Sequence, residues 1–305
     1  MGLKQSESFL VVTDRNMFAL AGEFFTAAQK FTSKSRLLTI DIPETNGTEP
    51  HPDVASMMKK HDVILLITSK SLTHTKSREE ASRAGARIAS MPGLAKSMFG
   101  TALSENPNKL TSINAKLIKL LSGKKTITIT TKKGASITFA IKGRKWVADS
   151  GVYSKKGAFG NLPAGEVFIA PLEGTTKGTL FVDGSVDLRK AGKPSKPLIM
   201  RFSKGMLVGL SGGSEARHLA SLLKDDRYRN VAELGIGTNG RARITGNVLE
   251  DEKVLGTIHV ALGNNIHFGG KVDVPFHIDS IITKPTIRAG NEIIMKEGKF
   301  IKGIL

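Results

Sequence analysis

Carboxylates and imidazoles crowd into one part of this chain. Glu233, Glu250, Asp251, Glu252, His259, His267, His277 and Asp279 fall among apolar, strand-like stretches, in a sequence with seven histidines in all. In His277-Ile278-Asp279 the spacing of two places both polar side chains on one face of a strand. His259 alternates with Thr257 and Ala261 in an otherwise apolar run. An imidazole buried there needs a hydrogen-bond partner or a metal ion. Imidazoles and carboxylates converging from short strands are the usual donors to a divalent cation. The C-terminal half is therefore read as a metal centre, with a satisfied core histidine as the plainer alternative for His259. Glu166 opens an apolar strand beside a turn, where a ligand-facing and a solvent-facing carboxylate are equally in keeping with the letters. Glu233, between Ala232 and Leu234, is in the same position.

Composition closes several other chemistries. There is no cysteine, which excludes disulfides, a thiol nucleophile and any thiolate-held zinc or iron–sulfur cluster. The longest apolar runs, such as Val63–Ile67, are of strand length, so no membrane-spanning helix is expected. The N-terminus has no apolar core of signal-peptide length, and a cytoplasmic location is the expectation. The net charge is +18, and the stretch from Lys109 to Lys145 holds ten basic residues and no acidic one. A nucleic-acid or other polyanionic partner is one reading of that stretch. A lysine-rich solvated face is the plainer one, because aromatic residues do not interleave with the lysines.

The elements that must position these side chains fall into two groups. Over residues 9–104 strands and helices alternate: strands at Phe9–Val12, Arg36–Ile40, Asp62–Thr68 and Arg87–Ser90, and helices at Asn16–Lys30, His51–Lys60 and Thr75–Ala84. That alternation predicts a parallel sheet covered by helices, a Rossmann-like or flavodoxin-like domain over residues 1–110. No Gly-x-Gly-x-x-Gly follows the first strand, so dinucleotide binding gains no support. A helix at Ser112–Leu121 follows, and then the hydrophobic period switches to two. Residues 111–305 are read as a larger, mixed, strand-rich α/β domain carrying the metal site. The fold class is thus α/β throughout.

Four segments carry a resemblance. Asn161–Pro171, Ala232–Gly237, Leu249–Gly263 and His277-Ile278-Asp279, in that order, resemble the thermophilic aminopeptidases of the aminopeptidase T class, which are leucyl aminopeptidase-like dinuclear metallopeptidases. The resemblance spans residues 160–282 and makes this chain a shortened member. It implies Glu166, Glu233, His259, His277 and Asp279 as ligands of two divalent ions, zinc first, with cobalt or manganese also suited. It implies Glu252, or Glu250 in its place, as the general base for a metal-activated water that releases the N-terminal residue of a peptide or amino-acid derivative. A homodimer is a further implication. The tyrosine that the family carries after the first ligand histidine is missing from Ala261–His267, which leaves His267, or Asn265, for its hydrogen-bonding task. Two other readings stay open: a non-catalytic metal or small-ligand binding relative, and a basic protein that binds nucleic acid or another polyanion.

Overall fold

Branched apolar runs bounded by turn residues open the chain, and in the computed structural model they become the strands of a parallel sheet. The structure describes residues 1–188, 192–301 and 303–304. The chain divides into two compact units, Met1–Leu103 with Gly151–Ala164, and Ser104–Ser150 with Gly165–Leu305.

In the first unit β1 (Phe9–Asp14), α1 (Phe18–Gln29), β2 (Ser35–Ile40), α2 (Pro52–Met58), β3 (Val63–Ile67), α3 (Lys76–Arg83) and β4 (Arg87–Ser90) alternate as the periodicity predicts. Strands β1 and β3 are buried along their whole length, which is why both read as unbroken apolar runs. Pro52 sits in the first turn of α2, and the Thr75 hydroxyl accepts the Arg78 N–H at the head of α3. Both are stop-and-start signals legible in the letters.

The chain then continues through α4 (Pro107–Leu121), β5 (Thr126–Thr130), β6 (Ser136–Ala140) and β7 (Val147–Asp149) of the second unit. It returns to the first unit for β8 (Phe159–Asn161), which pairs parallel with β4 and completes the order β2-β1-β3-β4-β8. Residues 151–164, assigned by sequence to the second domain, therefore belong to the first unit. Strand β8 is short and centred on a glycine, so it leaves no periodic trace. Gly160 is required there, since a Cβ would lie 2.4 Å from the Tyr153 hydroxyl.

The second unit continues with β9 (Glu166–Ile169), β10 (Lys177–Val182), β11 (Leu198–Ser203), β12 (Met206–Ser211), α5 (Ser214–Leu222), β13 (Val231–Gly237), α6 (Val248–Asp251), β14 (Ile258–Gly263) and β15 (His277–Ile282). It ends with β16 (Thr286–Ala289), β17 (Glu292–Lys296) and β18 (Lys299–Phe300). These make an antiparallel sheet of order β12-β11-β10-β6-β5-β16-β17-β18 and a second of order β15-β14-β13-β9-β7. One core unites them: Ile127, Phe139, Leu180 and Met200 from the larger sheet share it with Val167, Leu234, Ile236, Val260 and Leu262 from the smaller. Helix α4 begins at Pro107 rather than Ser112, because Asn106 caps it by accepting the Asn108 N–H at 2.9 Å. The expected fold class, a parallel-sheet unit followed by a larger mixed one, is what forms.

One ion pair in the first unit has a readable pH signature. Arg87 in β4 is nearly buried and donates to both carboxylate oxygens of Glu7, at 2.8 and 2.7 Å. Those bonds hold the Glu7 carboxyl down at about 2, against an ordinary value of 4.5. The contribution is therefore complete above about 4.5 and disappears as pH falls through about 2. Glu7→Gln should destabilise the protein at neutral pH by about 1–3 kcal/mol in urea unfolding. The gap to the parent should close as the buffer approaches pH 2; a gap independent of pH would refute the pairing.

Candidate metal centre

The smaller sheet of the second unit has one apolar face and one polar face, and strand register decides what meets on the polar one. Along β13 the side chains of Leu234 and Ile236 enter the core, so Glu233, Gly235 and Gly237 face the other way. The same alternation turns Glu166 and Phe168 of β9, His259 and Ala261 of β14, and His277 and Asp279 of β15 to that face. Gly235 stands between Phe168 and His259 in the pairing, and Ala261 stands between Glu233 and Asp279. Small residues thus alternate with functional ones across the strands and leave room for the longer side chains. At Gly235 the room is already used: a Cβ there would lie 1.9 Å from His259 Nε2.

The convergence is tight. His259 Nε2 lies 3.1 Å from Glu233 Oε1 and 3.4 Å from Glu166 Oε2. His277 Nε2 lies 3.6 Å from Glu233 Oε2 and 3.4 Å from Asp279 Oδ2. Glu233 therefore touches both imidazoles, one oxygen to each. Donors about 2.1 Å from a common ion, at right or tetrahedral angles, are themselves roughly 3.0–3.5 Å apart. The His259, Glu233, His277 and Asp279 contacts fall in or close to that range. The His277 ring is oriented by its Nδ1, which lies 2.9 Å from the Asn264 carbonyl oxygen; a backbone acceptor of this kind commonly fixes a metal-binding imidazole. Glu166 Oε2 is buried and receives no hydrogen bond among the described residues. A buried lone pair left open toward an imidazole suits a cation. These residues fit a divalent metal ion.

Electrostatics support the same reading. Burial alone would lower the His259 pKa, but the hydrogen bond to Glu233 and the charges of Glu166, Glu233 and Asp279 outweigh it and push it up to about 9. Burial also acts against charge on His277, yet Asp279 and Glu233 raise it to about 10. Burial would raise Asp279, and the His277 charge and hydrogen bond reverse this and hold it well below the usual carboxylate range. Without an ion the two imidazoles carry the balancing protons. A divalent ion replaces two protons with two charges, so the sheet face keeps its balance on binding.

The structure gathers Glu166, Glu233, His259, His277 and Asp279, the set that the resemblance implied, with Glu252 beside them. Residues not anticipated from sequence complete the arrangement. Lys253 is fully buried and donates to Glu166 Oε1 at 2.6 Å, with Glu252 Oε1 at 2.7 Å. Burial is opposed by Glu166, Glu252 and Asp149, and the ammonium is held charged. Burial, offset only in part by Lys253, pushes the Glu252 carboxyl up to about 8. Asn114 in α4 is also fully buried; its Nδ2 donates to the Glu166 carbonyl at 3.0 Å and its Oδ1 accepts from the Thr238 hydroxyl at 2.7 Å. It pins the start of β9 to the end of β13. Sequence offered no signal for Lys253 beyond its place after three acids, and none for Asn114.

The other candidates go elsewhere. His267 lies in the exposed turn Ile266–Phe268, whereas His259 is buried and His277 half-buried. Asn265 spends its side chain on the loop, donating to Glu173 Oε1 at 3.0 Å and accepting the Val272 N–H at 2.9 Å. Glu250 accepts the Arg243 N–H and Asp251 accepts the N–H groups of Thr245 and Gly246, so both shape the loop before α6. The turn instead brings Phe268 edge-on to Phe168, centroids 5.5 Å apart, and to His277 at 6.3 Å. The basic stretch is partly paired: Lys124 with Glu292, Lys132 with Glu297, Lys133 with Asp183 and Arg144 with Glu173. No helix among the described residues is long and apolar enough to cross a membrane.

The mixed imidazole and carboxylate donors on this sheet face fit a metal ion, and comparison with known proteins gives the family. The family model of NicX, 2,5-dihydroxypyridine 5,6-dioxygenase, matches residues 4–302, and the chain belongs to that family. A 2,5-dihydroxypyridine 5,6-dioxygenase of Pseudomonas putida KT2440 is 22% identical over 250 residues, covering 78% of this chain and 71% of that protein. The solved structure of 2,5-dihydroxypyridine dioxygenase from the same organism superposes with a TM-score of 0.78 at 18% identity, covering 98% of this chain and 93% of the other. Wild-type AmpT from Thermus thermophilus superposes at 0.70 with 13% identity, covering 98% and 95%. The last likeness shows a shared fold alone. The aminopeptidase, hydrolase and protease reading is thereby corrected: the resemblance followed the scaffold, and the family is one of dioxygenases.

The contact between Gly235 and His259 is directly testable. Gly235→Ala should displace the imidazole and weaken divalent-metal binding at least tenfold by isothermal titration, and it should lower the melting temperature. Adding His259→Ala should restore the melting temperature without restoring metal binding. Unchanged affinity in Gly235→Ala would show that His259 does not bind where its ring now rests.

Proposed function

We propose that this chain is a non-haem iron dioxygenase that opens an electron-rich, hydroxylated nitrogen-heteroaromatic ring of the 2,5-dihydroxypyridine kind. The observation that carries the reading is the pair of imidazole Nε2 atoms sharing Glu233, with Asp279 beside them, on one sheet face. Two histidines with one carboxylate and open positions form the ligand set suited to non-haem iron(II) oxygenases. His259, His277 and Asp279 supply it, and Glu233 is a further donor at its edge. Iron replaces zinc as the metal of choice on that ground, and the family's dioxygenase name supports it. When bound, such an iron supplies the one-electron chemistry that lets triplet dioxygen react with a singlet aromatic ring. Both oxygen atoms enter the product as one ring bond breaks, and no external reductant is consumed.

The remaining groups bind and steer. Phe168 and Phe268 meet edge to face beside His277, and a planar ring packs well against such an aromatic wall. Glu252, its carboxyl raised to about 8, holds or releases a proton near neutrality. It is the group suited to exchange one with a ring hydroxyl. Lys253 is a fixed positive charge on the same side and favours the ionised form of that hydroxyl.

Anaerobic loading with iron(II), followed by 2,5-dihydroxypyridine and oxygen, should give oxygen uptake in a one-to-one ratio with loss of the ring absorbance. His277→Ala and Asp279→Ala should lose both iron and uptake. Glu252→Gln should retain iron while kcat falls by about 10²-fold. Iron retained in both of the first two variants, or hydrolysis of an aminoacyl anilide in place of oxygen uptake, would overturn the assignment.

A further inference from the structure

The polar sheet face holds a second group of donors that meets the imidazole pair at His259, and a cation of the chain's own lies among them. Glu166, Glu252 and His259 offer three donor atoms within 4.8 Å of one another, a spacing that fits a divalent ion. The Lys253 ammonium approaches two of those residues, 2.6 Å from Glu166 Oε1 and 2.7 Å from Glu252 Oε1. We infer that Lys253 stands in for a second divalent ion, so that the centre holds one metal per chain where its donors alone would hold two.

Three observations carry this. Lysine is rarely buried completely unless paired, and Lys253 has no solvent exposure. Its partners are the carboxylates that would otherwise bind a cation. Its backbone is also locked: the Lys253 carbonyl accepts the Asn239 N–H at 2.8 Å, and its N–H donates to the Glu250 carbonyl at 3.0 Å. The ammonium therefore reaches the carboxylates from a fixed origin immediately after Glu252. An ammonium is a compact charge with three donors, able to take carboxylate oxygens much as a metal ion does. It has no empty orbital for a water or a carbonyl, so it balances charge without acting as a Lewis acid. Glu166 and Glu252 are thereby committed to the lysine. Glu233 and Asp279 are met instead by the two imidazoles, which are metal donors in their neutral form. The inference rests on the single-ion reading above.

The test uses the full-length chain, stripped of metal and loaded with excess cobalt(II), then freed of unbound ion by gel filtration. Elemental analysis of the parent should give one cobalt per chain, with the electron paramagnetic resonance of an isolated high-spin ion. Lys253→Met should give two per chain, with the signal diminished by coupling between neighbouring ions. Lys253→Met that folds only when cobalt is present, and then holds two, is the same result. Two coupled ions in the parent, or one in folded Lys253→Met, would overturn the inference while leaving a metal centre in place. If Lys253→Met does not fold under either condition, the parent spectrum decides: one isolated ion upholds the inference and a coupled pair defeats it. A parent that binds no cobalt would sink this inference and the proposed function together, whereas a parent that binds cobalt and loses it in His277→Ala keeps the metal centre whatever the outcome for Lys253.

Discussion

Carboxylates pressed onto one face of a sheet cannot stay buried and charged without cations among them. Glu166, Glu233 and Asp279 are all nearly inaccessible to solvent, and Glu252 joins them at one side. Everything distinctive about the second unit follows from how that charge is met. Lys253 answers Glu166 and Glu252; the two imidazoles answer Glu233 and Asp279. Two protons on the imidazoles exchange against one divalent ion without changing the balance, whereas the lysine charge is permanent. On the proposed reading the sheet divides one acidic face into a part that takes a metal ion and a part that Lys253 already neutralises.

The scaffold that holds this face is generic by comparison. The opposite face of the same strands is an apolar surface packed into a shared core, and it fixes register, since a slip of one residue would turn every donor inward. Gly235 and Ala261, paired beside His259 and between Glu233 and Asp279, supply space that larger residues would fill. Asn114 then ties β9 to β13 from the helix side. Chemistry is set by a few side chains on a fold that AmpT also has. That explains how a resemblance carried by four segments led to the wrong reaction.

Much of the layout was legible in the letters. Buried apolar runs located β1 and β3, and the switch to a period of two marked the strand-rich second unit, because burial on one face or both imprints directly on hydropathy. His277-Ile278-Asp279 gave its own geometry. What escaped was of two physical kinds. Strand β8 is too short and too glycine-rich to show a period, and β16 is a four-residue strand after a turn. Lys253 and Asn114 act through contacts with residues distant in sequence, Glu166 among them, and a single chain of letters carries no mark of such partners. His267 follows His259 closely in sequence, and that proximity does not reveal that its turn is exposed.

The central claim is that His259, His277 and Asp279 surround one iron on the polar face of the sheet. Anomalous diffraction at the iron absorption edge, from crystals of the anaerobically loaded protein, tests it most directly. The account requires a single peak about 2.2 Å from both Nε2 atoms and from an Asp279 oxygen, with Lys253 still bound to Glu166. A peak lodged between Glu166 and Glu252 with the lysine turned away, or a pair of peaks, would contradict it.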